Sequence, residues 1–166
     1  IWAANQMIPL KGQWLILDRK IQQNLVDVTN TMLIFEPYIK SGQIALKAKV
    51  DRGQEGIRIL FGFINPDRYL VWNIGGWNNS ETAVEKRSSI EGSDYDVLNE
   101  RKPFEFKYGE WHDIRLTIDA DAKTARGFVD GQNIMTLQTE EMMEGRVGLG
   151  SWLTAIEVDN IQIKVQ

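Results

Sequence analysis

The chain has 166 residues, a net charge of −4 and no cysteine, and 43% of its residues are hydrophobic. This length and composition predict a single globular domain over residues 1–166, and the lack of cysteine excludes disulfides, thiolate metal sites and a cysteine nucleophile. The negative charge, without any run of Lys and Arg, excludes a nucleic-acid footprint, and the apolar runs are far shorter than the roughly 20 residues of a membrane span.

Alternating apolar and polar residues predict β-strands through most of the chain. Residues 44–50 alternate cleanly, and residues 57–64 are apolar on both faces apart from Arg58 and Gly62, which is typical of a central strand. Residues 69–74, 114–118 and 161–165 alternate again. Together with the turn residues between them, these segments predict roughly twelve short strands and an all-β fold.

Turn residues separate these strands at short intervals. Asn65-Pro66-Asp67 predicts a turn between two strands, and Asp130-Gly131 predicts a two-residue β-hairpin loop. Only Thr139–Glu144 could form a helical turn. Antiparallel strands with almost no helix form a sandwich or a barrel, and the length favours a jelly-roll sandwich over an immunoglobulin-like domain of about 100 residues.

The segment 69–79 is the most informative part of the sequence, because an aromatic strand runs into two glycines, a Trp and two amides. Aromatic rings stack on the CH faces of sugars, and Asn, Glu and Arg side chains form hydrogen bonds with sugar hydroxyls. The candidate carbohydrate-binding residues are Tyr69, Trp72, Asn73, Trp77, Asn78, Glu85 and Arg58. Two alternatives stay open: Trp77 could plug the edge of the sandwich, and Glu55, Arg58 and Glu85 could form structural ion pairs at strand ends.

The carboxylates of the chain do not match a glycosidase pattern. Glycoside hydrolysis needs two carboxylates about 5–9.5 Å apart, and a sandwich can present them from alternate residues of one strand. Asp94 and Asp96 alternate in this way, but the preceding residues 91–93 indicate a loop. His112, the only histidine, lies at the entry to a strand, and the chain has no Gly-x-Ser-x-Gly motif. We therefore expect a domain that is not itself an enzyme.

Calcium is the one metal that the sequence suggests, and it would have a structural role. Asp119-Ala120-Asp121 resembles the opening of a calcium loop, but Thr124 and Asp130 stand where that loop needs Gly and Glu. Glu157 and Asp159 form a better pair, because alternate residues of a strand point the same way. Backbone carbonyls of the first strands would supply further ligands.

Several short blocks of the sequence occur together in one known kind of domain. The most specific block, residues 73–79, reads Asn-Ile-Gly-Gly-Trp-Asn-Asn. The other blocks follow in order across most of the chain: Glu55–Gly62, Tyr69–Trp72, Ala83–Lys86, Trp111–Arg115, Val129–Gly131 and Gly145–Trp152. With these blocks the chain resembles the concanavalin A-like accessory domain of the α-L-arabinofuranosidases.

The resemblance implies a jelly roll of two antiparallel sheets, joined in the same polypeptide to a catalytic barrel that carries the catalytic glutamates. It implies an arabinose-containing plant polysaccharide as ligand, and an extracellular or periplasmic bacterial location. The chain starts at Ile1 without a Met or a basic signal region, which indicates the edge of a processed or dissected glycosidase. The main alternative is a structural domain that packs on the barrel without binding sugar.

Overall fold

The computed structural model of the protein describes residues 7–87 and 95–166. Asp94 and residues 91–93 of the predicted loop lie outside these ranges. The strands and the one helical turn of the described residues are β1 Met7–Lys11, β2 Trp14–Leu17, β3 Lys20–Gln23, β4 Thr31–Ile39, β5 Ser41–Gly53, β6 Ile57–Asn65, β7 Arg68–Gly75, α1 Gly76–Asn79, β8 Glu81–Arg87, β9 Tyr95–Val97, β10 Lys102–Pro103, β11 His112–Asp119, β12 Thr124–Val129, β13 Gln132–Gln138, β14 Gly145–Ser151 and β15 Thr154–Val165.

These strands form two antiparallel sheets that pack face to face. The sheet that we call the front sheet has the order β1-β4-β14-β6-β7-β8-β10, with β9 paired to β8. The back sheet has the order β13-β12-β11-β5-β15-β3-β2. The non-consecutive neighbours are typical of a jelly roll, since successive strands cross between the sheets. The predicted fold class, an all-β concanavalin A-like sandwich, is confirmed.

The inner faces of both sheets enclose the apolar core, and Trp72 of β7 is its largest fully buried side chain. The indole Nε1 of Trp72 donates a hydrogen bond of 2.9 Å to Thr82 Oγ1, so its polar atom is satisfied inside the core. The ring packs against the back sheet at Gly127, where a Cβ would lie 2.5 Å from the ring atom Cζ2. Trp72 therefore holds the two sheets together.

The turns that the sequence predicts are confirmed, and the helical turn is not. The hairpin between β12 and β13 has a φ of 51° at Asp130 and 81° at Gly131, as a type I′ turn requires. The prediction of a helical turn at Thr139–Glu144 is wrong, because this segment has no helical residue. Thr139 Oγ1 instead accepts the backbone N–H of Glu141 at 3.1 Å, which turns the chain without a helix.

The outer face of the front sheet carries a second apolar cluster, separate from the core. Its buried members are Met32, Ile34, Leu60, Phe63, Tyr69 and Val71, with Ile8 and Tyr95 packed against them. The residues that follow the predicted loop, Tyr95–Val97, form strand β9, which pairs with β8 through Arg87 and Tyr95. This pairing brings an aromatic ring over the front sheet and forms one wall of the site described next.

Candidate functional site

A cleft of about 240 Å³ opens on the outer face of the front sheet, next to the second apolar cluster. We call it the front cleft. Strands β6, β7 and β8 supply its floor, whereas α1, β9 and the residue after β14 supply its aromatic walls. The residues that line it are Glu55, Arg58, Asn73, Trp77, Glu85, Tyr95 and Trp152.

Arg58 is the central cation of the front cleft and is almost completely buried, with 3% of its surface exposed. Its guanidinium carbon lies 5.1 Å from the ring centroid of Tyr95 and 5.3 Å from that of Trp152, so both rings make cation–π contacts. Arg58 Nη1 donates a 2.6 Å hydrogen bond to Asn30 Oδ1. Arg58 Nε is buried and has no hydrogen-bond partner.

Asn73 lies directly across from Arg58 in the β6–β7 pairing and has 7% of its surface exposed. Its Nδ2 donates a 3.0 Å hydrogen bond to Glu85 Oε1, whereas its Oδ1 is buried without a partner. A buried polar atom without a partner costs about 1–3 kcal/mol. Both atoms belong to residues that line one cleft, where a water molecule or a polar ligand can satisfy them.

The turn that carries Trp77 has an unusual backbone. Successive φ angles are positive at Trp77 (52°), Asn78 (60°) and Asn79 (59°), after a φ of 73° at Gly75. For residues with a side chain this left-handed conformation costs roughly 1–2 kcal/mol each. Such strain persists only where the surroundings hold it, and it concentrates at functional sites.

Two sets of hydrogen bonds hold this turn in place. The Asn79 side chain bonds the backbone of Phe106 twice, with Nδ2 donating to the carbonyl at 2.8 Å and Oδ1 accepting the N–H at 2.9 Å. Glu55 Oε2 accepts the backbone N–H of Asn78 at 3.0 Å. Trp77 is thus fixed at the rim of the cleft, half-buried, with the Arg101 guanidinium 5.0 Å from its ring centroid.

Glu55 and Glu85 give the front cleft two carboxylates beside the one guanidinium of Arg58. Burial raises the pKa of Glu55 above its ordinary value, and the charge of Glu85 adds to this effect. The Asn78 N–H and the charge of Arg58 act in the opposite direction but do not cancel it. With both carboxylates ionised, the lining carries one more negative than positive charge.

The structure brings together four of the seven predicted binding residues, namely Arg58, Asn73, Trp77 and Glu85, as lining of one cleft. Tyr69 lies beneath the cleft wall, and its buried hydroxyl is 2.7 Å from the Tyr95 hydroxyl. Burial raises the pKa of Tyr69, so this hydroxyl stays protonated. Asn78 contributes its backbone N–H to Glu55 and exposes its side chain.

Trp72 does not belong to the front cleft, because it points between the sheets and has no exposed surface for stacking. Sequence reasoning missed Tyr95 and Trp152 as lining residues. Trp152 ends the block Gly145–Trp152, where an aromatic residue after a glycine-rich strand was the available signal. Tyr95 had no such signal, since its place depends on the pairing of β9 with β8.

The predicted calcium ligands lie on the outer face of the back sheet. Lys49 Nζ is 2.7 Å from Glu157 Oε2, and Gln22 donates to the other carboxylate oxygen. Burial raises the pKa of Glu157, but these bonds outweigh burial and hold the pKa below its ordinary value. Residues 7–87 and 95–166 contain no group of three or more His, Cys, Asp or Glu that could hold a metal ion. The calcium site at Glu157 and Asp159 stays a prediction from sequence.

Known proteins similar to this chain are connected with carbohydrates. No family model matches the sequence. An extracellular exo-α-L-arabinofuranosidase from Streptomyces chartreusis is 27% identical over 145 residues, which cover 82% of this chain. The match spans only 17% of that enzyme's length.

Among solved structures, the carbohydrate binding module CBM66 from Bacillus subtilis has a TM-score of 0.79 at 10% identity and covers 96% of this chain and 95% of its own. A Crh5 transglycosylase in complex with NAG has a TM-score of 0.67 at 12% identity, over 98% of this chain and 80% of its own. At these identities the likeness shows the fold, which a binding module and an enzyme share. No helix of the described residues is long and apolar enough to cross a membrane.

Proposed function

We propose that this chain is a non-catalytic carbohydrate-binding module that holds a neutral sugar in the front cleft. The observation that carries the proposal is the pair of buried atoms without partners, Arg58 Nε and Asn73 Oδ1, between aromatic walls. A sugar satisfies both atoms through its hydroxyls while its CH face covers Trp77 or Trp152. The carboxylates of Glu55 and Glu85 accept further hydroxyls.

The ligand that we propose is an arabinose-containing plant polysaccharide. The similarity to an extracellular exo-α-L-arabinofuranosidase supports this choice, and it also supports an extracellular location. Because the match spans 17% of that enzyme, we propose that this chain works beside the catalytic domain of a longer polypeptide. A tethered binding domain raises the local concentration of substrate and needs no chemistry of its own.

A second candidate function, an interdomain structural role, is favoured by one separate surface. Strand β2 is the edge strand of the back sheet, and three successive apolar residues are exposed there: Leu15 by 43%, Ile16 by 40% and Leu17 by 57%. A free, apolar edge strand is a ready surface for another domain. This surface belongs to the edge of the back sheet, so the two roles are testable independently.

The experiment that tests sugar binding is affinity electrophoresis of the chain against arabinan, arabinoxylan, arabinogalactan and unrelated glucans. Retardation by the arabinose-containing polymers alone supports the proposal. If a folded sample is retarded by no polymer, with and without calcium, sugar binding is refuted and the interdomain role remains. Incubation with a chromogenic α-L-arabinofuranoside checks the other half of the proposal, because release of the chromophore would contradict a non-catalytic role for Glu55 and Glu85.

A further inference from the structure

The two unpartnered atoms of the front cleft define which part of a sugar it recognises. We propose, as an extension of the proposed function, that the front cleft binds the vicinal hydroxyl pair of one neutral sugar residue. Arg58 Nε donates to one hydroxyl, and Asn73 Oδ1 accepts from its neighbour. The cleft thus recognises a diol through one donor and one acceptor, which belong to residues that are each more than nine-tenths buried.

The positions of these atoms fit two hydroxyls better than one. Arg58 and Asn73 are direct partners on β6 and β7, so their Cβ atoms are about 4.5–5.5 Å apart. Their side chains are then drawn in opposite directions across the sheet. Arg58 reaches towards Asn30, which precedes β4, whereas Asn73 reaches towards Glu85 on β8, and β4 and β8 lie on opposite sides of the β6–β7 pair.

Part of the hydrogen-bonding capacity of both side chains is already used. Arg58 Nη1 donates to Asn30, and the guanidinium contacts the Tyr95 and Trp152 rings. Asn73 Nδ2 donates to Glu85. Arg58 Nε and Asn73 Oδ1 are the buried atoms of these two side chains that are left without a partner, and neighbouring ring hydroxyls, each able to donate and accept, match them.

The charge of the lining selects a neutral sugar. Among the lining residues Glu55 and Glu85 outnumber Arg58, whereas Arg87 and Arg101 contact the rings of Tyr95 and Trp77 without lining the cleft, so the carboxylate of a uronic acid would meet two carboxylates within the cleft. The volume of about 240 Å³ is below that of sites for drug-sized ligands and fits about one sugar residue.

The test compares methyl α-L-arabinofuranoside with its 2-deoxy, 3-deoxy and 2,3-di-O-methyl derivatives, by saturation-transfer NMR and by Trp fluorescence. We expect each deoxy derivative to bind about tenfold more weakly, because each leaves one buried atom without a partner. A loss with only one of the two deoxy derivatives would overturn the diol in favour of a single hydroxyl. Equal binding of all four compounds would overturn the inference but leave sugar binding intact.

Uronic acid probes test the charge argument in the same assay. Methyl β-D-xylopyranoside and methyl β-D-glucuronide differ chiefly in the carboxylate, and we expect the glucuronide to bind at least about fivefold more weakly at low salt. Tighter binding of the glucuronide would contradict selection for a neutral sugar. If no glycoside binds and no polymer retards the folded chain, the inference and the proposed function fail together.

The variant Asn73→Ala tests whether the preference for a vicinal diol depends on Asn73 Oδ1, and Gln162→Ala is its control. The affinity of methyl α-L-arabinofuranoside is compared with that of its 2-deoxy form and with that of its 3-deoxy form, which gives one ratio for each hydroxyl. Asn73→Ala removes the buried acceptor, so we expect one of these two ratios to fall from about ten to near one. Gln162 is an exposed amide on the outer face of the back sheet, and its variant keeps both ratios. Circular dichroism and the melting temperature verify that both variants are folded, and unchanged ratios in folded Asn73→Ala would refute the assignment.

Discussion

The outer faces of the two sheets differ in how their polar groups are satisfied. The back sheet also has a cleft, larger than the front cleft at about 340 Å³, and Arg115 stacks on Phe128 there at 4.3 Å. Its charges are exposed, as in the 4.0 Å pair of Lys47 and Asp113, with side-chain exposures of 55% and 71%. Water satisfies such groups at little cost.

The front cleft is smaller, but its polar groups are removed from water. Arg58 and Asn73 are buried there among aromatic rings, and each retains an atom without a partner. Among the described residues of the back-sheet strands, His112 Nε2 is the one buried side-chain atom in that condition, and it lies beside the rings of Phe104 and Phe106 and not in the back-sheet cleft. The unmet hydrogen bonds of Arg58 and Asn73, and not the volume of the depression, therefore distinguish the front cleft from the larger cleft of the back sheet.

Removal of an arginine from each face distinguishes the two sheets most strongly. Arg58→Ala removes a buried donor from the centre of the front cleft, so we expect affinity for the bound polysaccharide to fall at least about 100-fold. The loss of its bonds also costs the fold about 1–3 kcal/mol, which denaturant unfolding measures. Arg115→Ala, on the back sheet, changes affinity by no more than about twofold.

Equal losses in the two arginine variants would place the sugar on both faces and remove the distinction. Arg58→Lys addresses the chance that Arg58→Ala fails to fold. Lysine keeps the charge but lacks a planar group with a fixed Nε donor, so we expect a folded protein that still binds at least about tenfold more weakly.

The next largest effect compares a tryptophan on each face. Trp77 is half-buried at the rim of the front cleft, and Trp111 has 39% of its surface exposed with Lys49 Nζ 5.2 Å from its ring centroid. Trp77→Ala removes a stacking platform, so affinity falls by about 30-fold, which corresponds to roughly 2 kcal/mol. Trp111→Ala leaves affinity unchanged in the same electrophoresis assay. If Trp77→Ala retains affinity while folded, Trp77 is a plug of the sandwich edge and Trp152 is the platform.

A smaller effect tests how tightly the turn is fitted to the floor of the cleft. At Gly76 a Cβ would lie 2.3 Å from Asn73 Nδ2, so Gly76→Ala forces the Asn73 amide to move. Overpacking of this kind costs about 1–3 kcal/mol. We expect a lower melting temperature and an affinity reduced by about tenfold, measured by calorimetry. Unchanged affinity would mean that Asn73 is free to shift and does not position the ligand.

Much of this site follows from the sequence because its floor is local. Residues 69–79 and Glu85 belong to the β7–α1–β8 unit, so nearby pattern and turn signals locate most of its polar groups. The error at Trp72 is one of strand parity. Tyr69 and Asn73 point outwards. Trp72 is one residue out of phase with them along the strand, so it points into the core. The alternation is visible in the sequence. Because both faces of β7 are buried, the sequence does not indicate which of the two sets of residues faces the core.

The walls of the site could not be predicted, because they depend on long-range pairing. Trp152 reaches the cleft because β14 lies between β4 and β6, and Tyr95 reaches it because β9 adds to β8. No period in the sequence specifies which strands become neighbours. The left-handed turn is similar: two glycines predict a sharp turn, but the bonds of Asn79 to Phe106, 27 residues away, decide its conformation.

The smallest effect concerns Glu55, where binding and stability should move in opposite directions. Since burial raises the pKa of Glu55 in the folded state, the folded protein holds this proton more tightly than the unfolded chain. Ionisation of Glu55 therefore lowers the free energy of unfolding. This loss of stability begins as pH rises through the ordinary glutamate pKa and is complete above the raised pKa of the folded state. Glu55→Gln removes the charge and keeps an oxygen for the Asn78 N–H, so the variant melts slightly higher at neutral pH. Near pH 3, where the carboxyl is protonated in both states, this difference disappears.

Sugar binding should respond to Glu55→Gln in the opposite sense. A carboxylate accepts hydrogen bonds from hydroxyls more strongly than an amide does, so we expect affinity at neutral pH to fall by about threefold in a protein that is more stable. Calorimetry at neutral pH, with Glu157→Gln as the control, measures both quantities. Glu157 is held by Lys49 and its pKa is lowered, so its variant loses stability at neutral pH and keeps affinity. If Glu55→Gln loses stability as well, Glu55 serves only to hold the turn; a gain in stability with a loss of affinity means that the charge is retained for the ligand.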